Sequence, residues 1–319
     1  MRRSSKFAIG IASCLLVITL AVLLTRFDSI AQVFSGRPEL DRSRPVPAKG
    51  EVIRTWQARQ DSIRSFRFAW TETQTHPKGW IPNPRYPQRE FSDIPKLLGD
   101  RTYTVSKTLA VDGGRMRYTF QLNRKEESDG VRVNSAQGNN TGLGEGKHYR
   151  YESVFDGQTG KTRITSLTDG PPAATIAVMS NVDAQNLDIK PLMMAFRPLD
   201  PAMGDLLVDR AVTNLVRTIH RGKSTFLLEE ERDPSGWKTI FRIEPERAFL
   251  VSEILVPFEQ KPIIEIDIDY TEDPKWGWIP SGWHITQMLA DGSTRLVSEA
   301  RIASYSINQP IGAEEFLLK

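Results

Sequence analysis

The chain has 319 residues, of which 42 are basic and 39 acidic, and its formal net charge is +3. That excess comes from residues 1–31, which hold Arg2, Arg3, Lys6, Arg26 and Asp28, so the remainder carries 38 charges of each sign. A neutral domain lacks the positive potential typical of nucleic-acid-binding proteins, and we therefore expect no nucleic-acid partner.

Residues 1–31 have the features of an export signal or a membrane anchor. The basic start MRRSSK precedes an uncharged run over residues 7–24, which is long for the core of a signal peptide and long enough to span a membrane. Basic residues before such a run place the N-terminus in the cytoplasm. We expect the run to be kept as a membrane-spanning segment, with the rest of the chain in the periplasm or cell envelope. Cleavage after Ala31 is the alternative.

Cys14 is the only cysteine, and it lies inside that apolar run. The exported part therefore has no disulfide and no thiol chemistry. The preceding residues form the lipobox-like sequence IASC, but the apolar run continues ten residues beyond it, which argues against lipidation.

Residues 32–50 are predicted to form a proline-rich linker, and residues 51–319 a single β-rich domain. The domain opens with apolar residues at helical spacing, which predicts an amphipathic helix over residues 51–63. Apolar residues then recur at every second position, which predicts strands with one apolar face and one solvent-exposed face. The apolar positions are the candidates for lining a ligand cavity: Phe66, Phe68, Trp70, Tyr118, Phe120, Ile264, Ile266, Ile268, Tyr270 and Trp283.

Turn sequences separate these strands. The stretches at residues 112–114, 156–160, 233–236 and 291–292 fit hairpin connections, which predicts an antiparallel meander. Residues 189–219 have helical spacing, so we expect one or two helices there. The predicted fold is α+β: a large, curved antiparallel sheet, or half-barrel, with an N-terminal helix and a helical middle segment covering the concave face.

Two further segments fit neither pattern. Residues 76–100 combine five prolines with aromatic side chains, which favours an ordered cover over part of the domain. Residues 123–147 are polar and glycine-rich, which is typical of a mobile hairpin loop.

No motif in the sequence predicts catalysis, a metal or a cofactor. Glu265, Asp267 and Asp269 occupy alternate positions of one strand, roughly 7 Å apart. That spacing is too wide for them to coordinate one ion, and we expect them to face water. The stretch GLGEGKH at residues 142–148 lacks the glycine and hydroxyl positions of a phosphate loop. None of the four histidines has zinc-ligand spacing to another.

The order of elements resembles that of the LolA/RseB-like superfamily, which includes periplasmic lipoprotein carriers and regulators of envelope stress. The resemblance lies in IRSFRFAWTETQ after the helix, in TIFRIEPERAFLVSEILV at residues 239–256, and in the ending ARIASYSINQPIGAEEFLL. It implies a half-barrel that holds an acyl chain or a lipidated peptide, without enzyme activity or cofactor. A retained anchor and the segments 76–100 and 123–147 depart from the pattern of a shuttling carrier.

Three functions remain open from the sequence. The first is a non-catalytic extracytoplasmic protein that binds a lipid or lipoprotein ligand in an apolar cavity. The second is a sensor or scaffold of the cell envelope whose sheet is filled and whose ligand is another protein. The third is an envelope hydrolase with dispersed catalytic residues. An apolar cavity larger than ~300 Å³ would separate the first from the second.

Overall fold

The computed structural model describes residues 46–78, 99–123, 148–167, 174–179, 187–199, 215–231, 238–258, 261–288 and 292–318. The predicted anchor at residues 7–24, most of the linker and most of the segments 76–100 and 123–147 lie outside these residues. None of the helices in the described part of the chain has the length and apolar character that crossing a membrane requires.

Two α-helices and thirteen strands make up the regular structure of the described residues. The helices are α1 (Lys49–Ser62) and α2 (Lys190–Phe196). The strands of the first half are β1 (Ser65–His76), β2 (Arg101–Asp112), β3 (Arg115–Asn123), β4 (His148–Phe155), β5 (Gly160–Ser166) and β6 (Ala174–Met179). Those of the second half are β7 (Leu215–His220), β8 (Lys223–Glu231), β9 (Lys238–Glu244), β10 (Leu250–Phe258), β11 (Lys261–Asp273), β12 (Gly277–Met288) and β13 (Thr294–Ile307). Short 3₁₀ turns cover Pro245–Arg247 and Ala313–Phe316.

All thirteen strands belong to one antiparallel sheet in the order β6-β5-β4-β3-β2-β1-β13-β12-β11-β10-β9-β8-β7. Strands that follow one another in sequence pair with each other, except β6 and β7, which form the two opposite edges of the sheet. In the middle of the sheet, β1 pairs with β13. The sheet is curved and does not close, and two helices accompany it. The predicted α+β half-barrel is therefore confirmed.

The N-terminal helix lies close to its predicted position, and the middle segment differs from its prediction. Helix α2 is shorter than residues 189–219 would allow, and Leu215–His220 forms strand β7. The sequence of β7, LVRTIH, is rich in β-branched residues, which pack well in a sheet. Here the pairing with β8 outweighs the helical spacing of the apolar residues.

Two of the predicted hairpin turns are present as expected. Asp112, Gly113 and Gly114 join β2 to β3, and Gly113 adopts a φ of +56°, which a glycine accepts without strain. In the turn from β4 to β5, the Asp156 carboxylate accepts hydrogen bonds from the backbone N–H groups of residues 158 and 159, both at 2.9 Å. The turn expected at residues 233–236 lies outside the described residues.

A short turn over residues 274–276 connects β11 to β12. Strand β11 continues to Asp273, and β12 begins at Gly277, so the sequence GWIP at residues 277–280 is strand. The Asp273 carboxylate caps the turn by accepting hydrogen bonds from the backbone N–H groups of Lys275 and Trp276, both at 2.8 Å.

Candidate functional site

The ten residues predicted to line a ligand cavity all lie in, or pack against, one hydrophobic cluster that also contains α2. Partly buried side chains at its margin are Phe120, Ile264 and Tyr270. The fully buried ones are Phe66, Phe68, Trp70, Tyr118, Ile266, Ile268 and Trp283. Because successive strand residues alternate between faces, the sequence could place these side chains together on the concave side. That they hold a ligand remains a prediction.

Helix α2 fills the middle of the concave face. All seven of its residues are buried, and the Phe196 ring lies 4.9 Å from that of Phe66 and 5.4 Å from that of Phe68, between ring centroids. The Arg59 guanidinium donates to the Ala195 carbonyl at 2.7 Å, and Arg197 donates to the Gln60 carbonyl at 3.1 Å. Helix α1 thus holds α2 against the sheet.

A buried ionic network lies on the same face, beside the apolar cluster. The Lys107 ammonium lies 2.7 Å from Glu72 Oε2 and 2.6 Å from Asp188 Oδ2. The Tyr118 hydroxyl donates to the same Asp188 oxygen at 2.8 Å. Burial, reinforced by the charge and hydrogen bond of Asp188, raises the pKa of Tyr118 well above its ordinary value. The hydroxyl therefore stays protonated and acts as a donor.

Sequence reasoning missed this network, although the alternation contained its signal. Glu72 continues the inward series that includes Trp70, and Lys107 lies between the inward-facing Val105 and Leu109. The side chains of Glu72 and Lys107 are 0% and 2% exposed. A charged residue at an inward position of a strand predicts a buried partner, because an unpaired buried charge is strongly unfavourable.

Beyond the network, three aromatic side chains extend the concave face; we call Tyr118, Phe120 and Tyr151 the aromatic end. Phe120 and Tyr151 stack with ring centroids 4.8 Å apart, and Tyr118 lies 5.7 Å from Phe120. The Lys107 ammonium lies 5.8 Å from the Phe120 ring centroid. Phe120 and Tyr151 are partly exposed, so apolar surface and a buried charge network meet at this place.

Two buried indole groups next to the network lack hydrogen-bond partners. Trp70 and Trp283 contact each other edge-on with ring centroids 5.4 Å apart, and neither N–H has an acceptor among the residues that the structure describes. The indole of Trp56, by contrast, donates to the Phe249 carbonyl at 2.7 Å. Unsatisfied buried donors are uncommon in native proteins and often mark the place of a water or a ligand.

The acidic side chains of β11 lie on the convex face, but they are less exposed than predicted. Asp269 is exposed, whereas Asp267 lies 3.3 Å from Arg221 and Glu265 is half-buried. Glu253 of β10 lies directly opposite Asp267, and one oxygen from each of Glu253, Glu265 and Asp267 falls within 4.8 Å of the others. The spacing along one strand did not reveal this cluster because a neighbouring strand completes it.

That cluster is ion-paired. Glu253 accepts a hydrogen bond from Arg242 Nε at 2.8 Å, in surroundings that are almost wholly buried. Burial, followed by the charges of Asp267 and Glu253, raises the pKa of Glu265. Two features therefore reduce the repulsion among the three carboxylates. Arg242 pairs with Glu253, and the raised pKa of Glu265 favours its uncharged form.

The tryptophans after β11 lie at the end of the sheet, and His284 of β12 lies on the outer face beside them. Trp276 packs partly buried against the apolar cluster, and the Arg247 guanidinium lies 4.6 Å from the Trp278 ring centroid. His284 and Asp269 border a surface depression of about 400 Å³, but both are exposed. Among the described contacts, no hydrogen bond joins His284 to Asp269 or Ser281.

No protein-family model matches the chain, and no curated protein matches it. Solved structures do. One is a DUF1329 family protein from Desulfovibrio piger, at 7% identity and a TM-score of 0.40, covering 84% of this chain and 95% of that one. Another is a LolA superfamily protein from Nitrosomonas europaea, at 10% identity and a TM-score of 0.40, covering 83% and 97%.

Proposed function

We propose that the chain is a non-catalytic extracytoplasmic protein, tethered to the membrane by residues 7–24, that binds a lipid or a lipidated ligand at the aromatic end of its concave face. The observation that carries this function is the stacked pair Phe120 and Tyr151, which continues the buried apolar face and remains partly exposed. Ligand sites for small molecules are typically apolar and aromatic surfaces with a few placed polar groups.

The polar groups at this place favour a particular part of such a ligand. The indole N–H groups of Trp70 and Trp283 are donors and need an acceptor. The nearby network holds two carboxylates, Glu72 and Asp188, for one ammonium, Lys107. A further negative charge would be repelled there, so an ester or amide carbonyl fits better than a free carboxylate.

The experiment is native mass spectrometry of the full chain purified from membranes, compared with two test variants and one control variant. We expect a co-purifying species with the mass of an acyl lipid or a lipidated peptide. Phe120→Ala and Tyr151→Ala should reduce its occupancy, because each removes stacking surface at the aromatic end. Thr119→Ala, on the opposite face of the same strand, is the matched control and should retain the ligand. A ligand-free wild type, or equal loss in the control, would refute this function.

The complete burial of α2 favours a second candidate, a protein-binding sensor or scaffold of the cell envelope. In that case α2 is a permanent part of the core and the sheet offers no lipid site. The same measurement separates the two: an envelope sensor would co-purify with a protein partner and no lipid, and Phe120→Ala would leave that partner bound.

A further inference from the structure

The convex face of β3, β4 and β5 is positively charged, although the domain as a whole is neutral. Its outward positions alternate with the inward-facing aromatic residues and lie side by side in the strand register. They are Arg117, Thr119 and Gln121 on β3, Arg150, Glu152 and Val154 on β4, and Lys161, Arg163 and Thr165 on β5. Four of these nine residues are basic and one is acidic, a local net charge of +3. We call this surface the basic strip.

Glu152 is a buried acid of the basic strip that holds its three arginine side chains in position. Its carboxylate lies 2.5 Å from an Arg117 nitrogen, 2.9 Å from Arg163 Nε and 3.3 Å from an Arg150 nitrogen, while its side chain is only 2% exposed. One buried carboxylate therefore positions three guanidinium groups and neutralises the charge of one. The Arg150 side chain remains 51% exposed. A cationic surface held in place in this way loses little side-chain entropy when it binds an anion.

Neutral hydroxyl groups border the basic strip on the side of β1 and β2. Cross-strand pairs join Thr75 to Thr102 at 2.9 Å and Thr108 to Thr119 at 2.5 Å, between hydroxyl oxygens. Between residues 102 and 110, the outward positions of β2 carry no acid. Two acidic residues lie near the basic strip, and each is paired with its own arginine outside the strip: Asp112 with Arg115, and Glu315 with Arg67. They therefore leave the net charge of the basic strip unchanged. Further acidic residues of the convex face lie farther along the sheet, on β10, β11 and β13.

We propose that the basic strip docks on the anionic phospholipid headgroups of the membrane. Arginine pairs with phosphate through two parallel hydrogen bonds, and each basic side chain near an anionic bilayer strengthens binding about five-fold. Residues 25–45 separate the expected membrane segment from the first described residue. A chain of that length spans at most about 70 Å, against a radius of gyration of roughly 18 Å for such a domain, so every face can reach the bilayer.

The test reconstitutes the full chain into vesicles of phosphatidylcholine alone or mixed with phosphatidylglycerol at about three to one. A membrane-impermeant reagent then acylates lysine amines, and peptide mass spectrometry follows each site. Lys161 reports on the basic strip, and the exposed Lys223 of the β7–β8 hairpin is the internal control. We expect Lys161 to react about five-fold more slowly in the anionic vesicles, with Lys223 unchanged and the protection lost at high salt.

Three variants show whether charge on this surface is responsible. Arg150→Gln should abolish most of the protection of Lys161, and Arg150→Lys should keep it, because the charge is preserved. Arg301→Gln changes an 80% exposed arginine elsewhere on the convex face and should have no effect. Equal labelling of Lys161 in the two kinds of vesicle would overturn the inference. The inference would also be overturned if an added polyglutamate peptide, and not the anionic vesicles, protected Lys161. That result would assign the surface to an acidic protein.

Discussion

Two carboxylates on the convex face have opposite electrostatic surroundings. Glu152 on β4 lies among three arginines, whereas Glu265 on β11 lies beside Asp267 and Glu253. Burial disfavours ionisation at Glu152, but the hydrogen bond from Arg163 and the surrounding arginine charges outweigh it and lower its pKa. At Glu265 burial and the acidic neighbours act in the same direction and raise the pKa.

Both residues occupy outward positions on inner strands of the same sheet, so neither strand position nor face explains the difference. The neighbours across the strands decide it. Thr119 and Arg163 flank Glu152, whereas Leu255 and Thr286 flank Glu265, so no arginine lies directly beside Glu265 in the strand register. Diagonal pairs on adjacent strands are near enough for long side chains to interact.

Replacing Glu152 should give the largest effect. Glu152→Gln leaves three arginines without their common anion, and we expect a loss of about 3 kcal/mol in the free energy of unfolding at neutral pH. Because the folded pKa is lowered, this contribution is present above the ordinary value of 4.5 and disappears as the pH falls through the folded value. Urea unfolding of wild type and variant across that range measures it. Glu299→Gln, whose side chain is 53% exposed, should change stability by less than about 0.5 kcal/mol.

Removing the cation of the acidic cluster should come next. Arg242→Gln loses the charged hydrogen bond to Glu253 and weakens those to Thr218 and Thr225, at 3.1 and 3.3 Å. We expect a loss of about 2 kcal/mol, since a buried carboxylate is left beside two others. The matched control is Arg221→Gln, whose side chain is 69% exposed and whose loss should be small. Equal losses in both variants, measured by denaturant titration, would show that burial does not govern this cluster.

Glu265→Gln should have the opposite sign to Glu152→Gln. Its raised pKa means that the ionised form is disfavoured in the folded state, and this penalty is present above the folded pKa and absent below the ordinary value of 4.5. We therefore expect a gain of about 0.5 kcal/mol at neutral pH, allowing for its partial exposure, and no gain in acid. A variant that is less stable than the wild type at neutral pH would contradict this sign.

Asp269→Asn should have the smallest effect, below about 0.5 kcal/mol, because the side chain is exposed on the same strand. Thermal melts of Asp269→Asn and Glu265→Gln, measured side by side, show whether stability depends on belonging to the three-acid cluster or only on lying on β11. A shift in Tm as large as that of Glu265→Gln would mean that the strand, and not the three-acid cluster, determines the response.

Alternation in the sequence predicted the sheet and the shared face of the ten candidate residues, because the period of a strand is a local property. It did not predict which strands are neighbours. Glu253 joins the acids of β11 only through the β10–β11 register, and Lys107 meets Asp188 across 81 positions of sequence. The spacing of apolar residues predicts helix over residues 215–220, but pairing with β8 makes this segment strand β7. Partners of this kind depend on which strands pair in the folded domain, and the local pattern of residues does not show that pairing.

The pairing of the first strand with the last has a consequence for how the domain is made. Phe66 lies opposite Ile307, so the centre of the sheet joins residues 241 positions apart. Contacts of such high sequence separation form slowly, because a long loop must close before they are gained. During synthesis, one edge of β1 stays unpaired until β13, the last of the described strands, has been made. An unpaired strand edge is a site of misassociation, so the interval between making β1 and making β13 is when this chain most needs protection by chaperones.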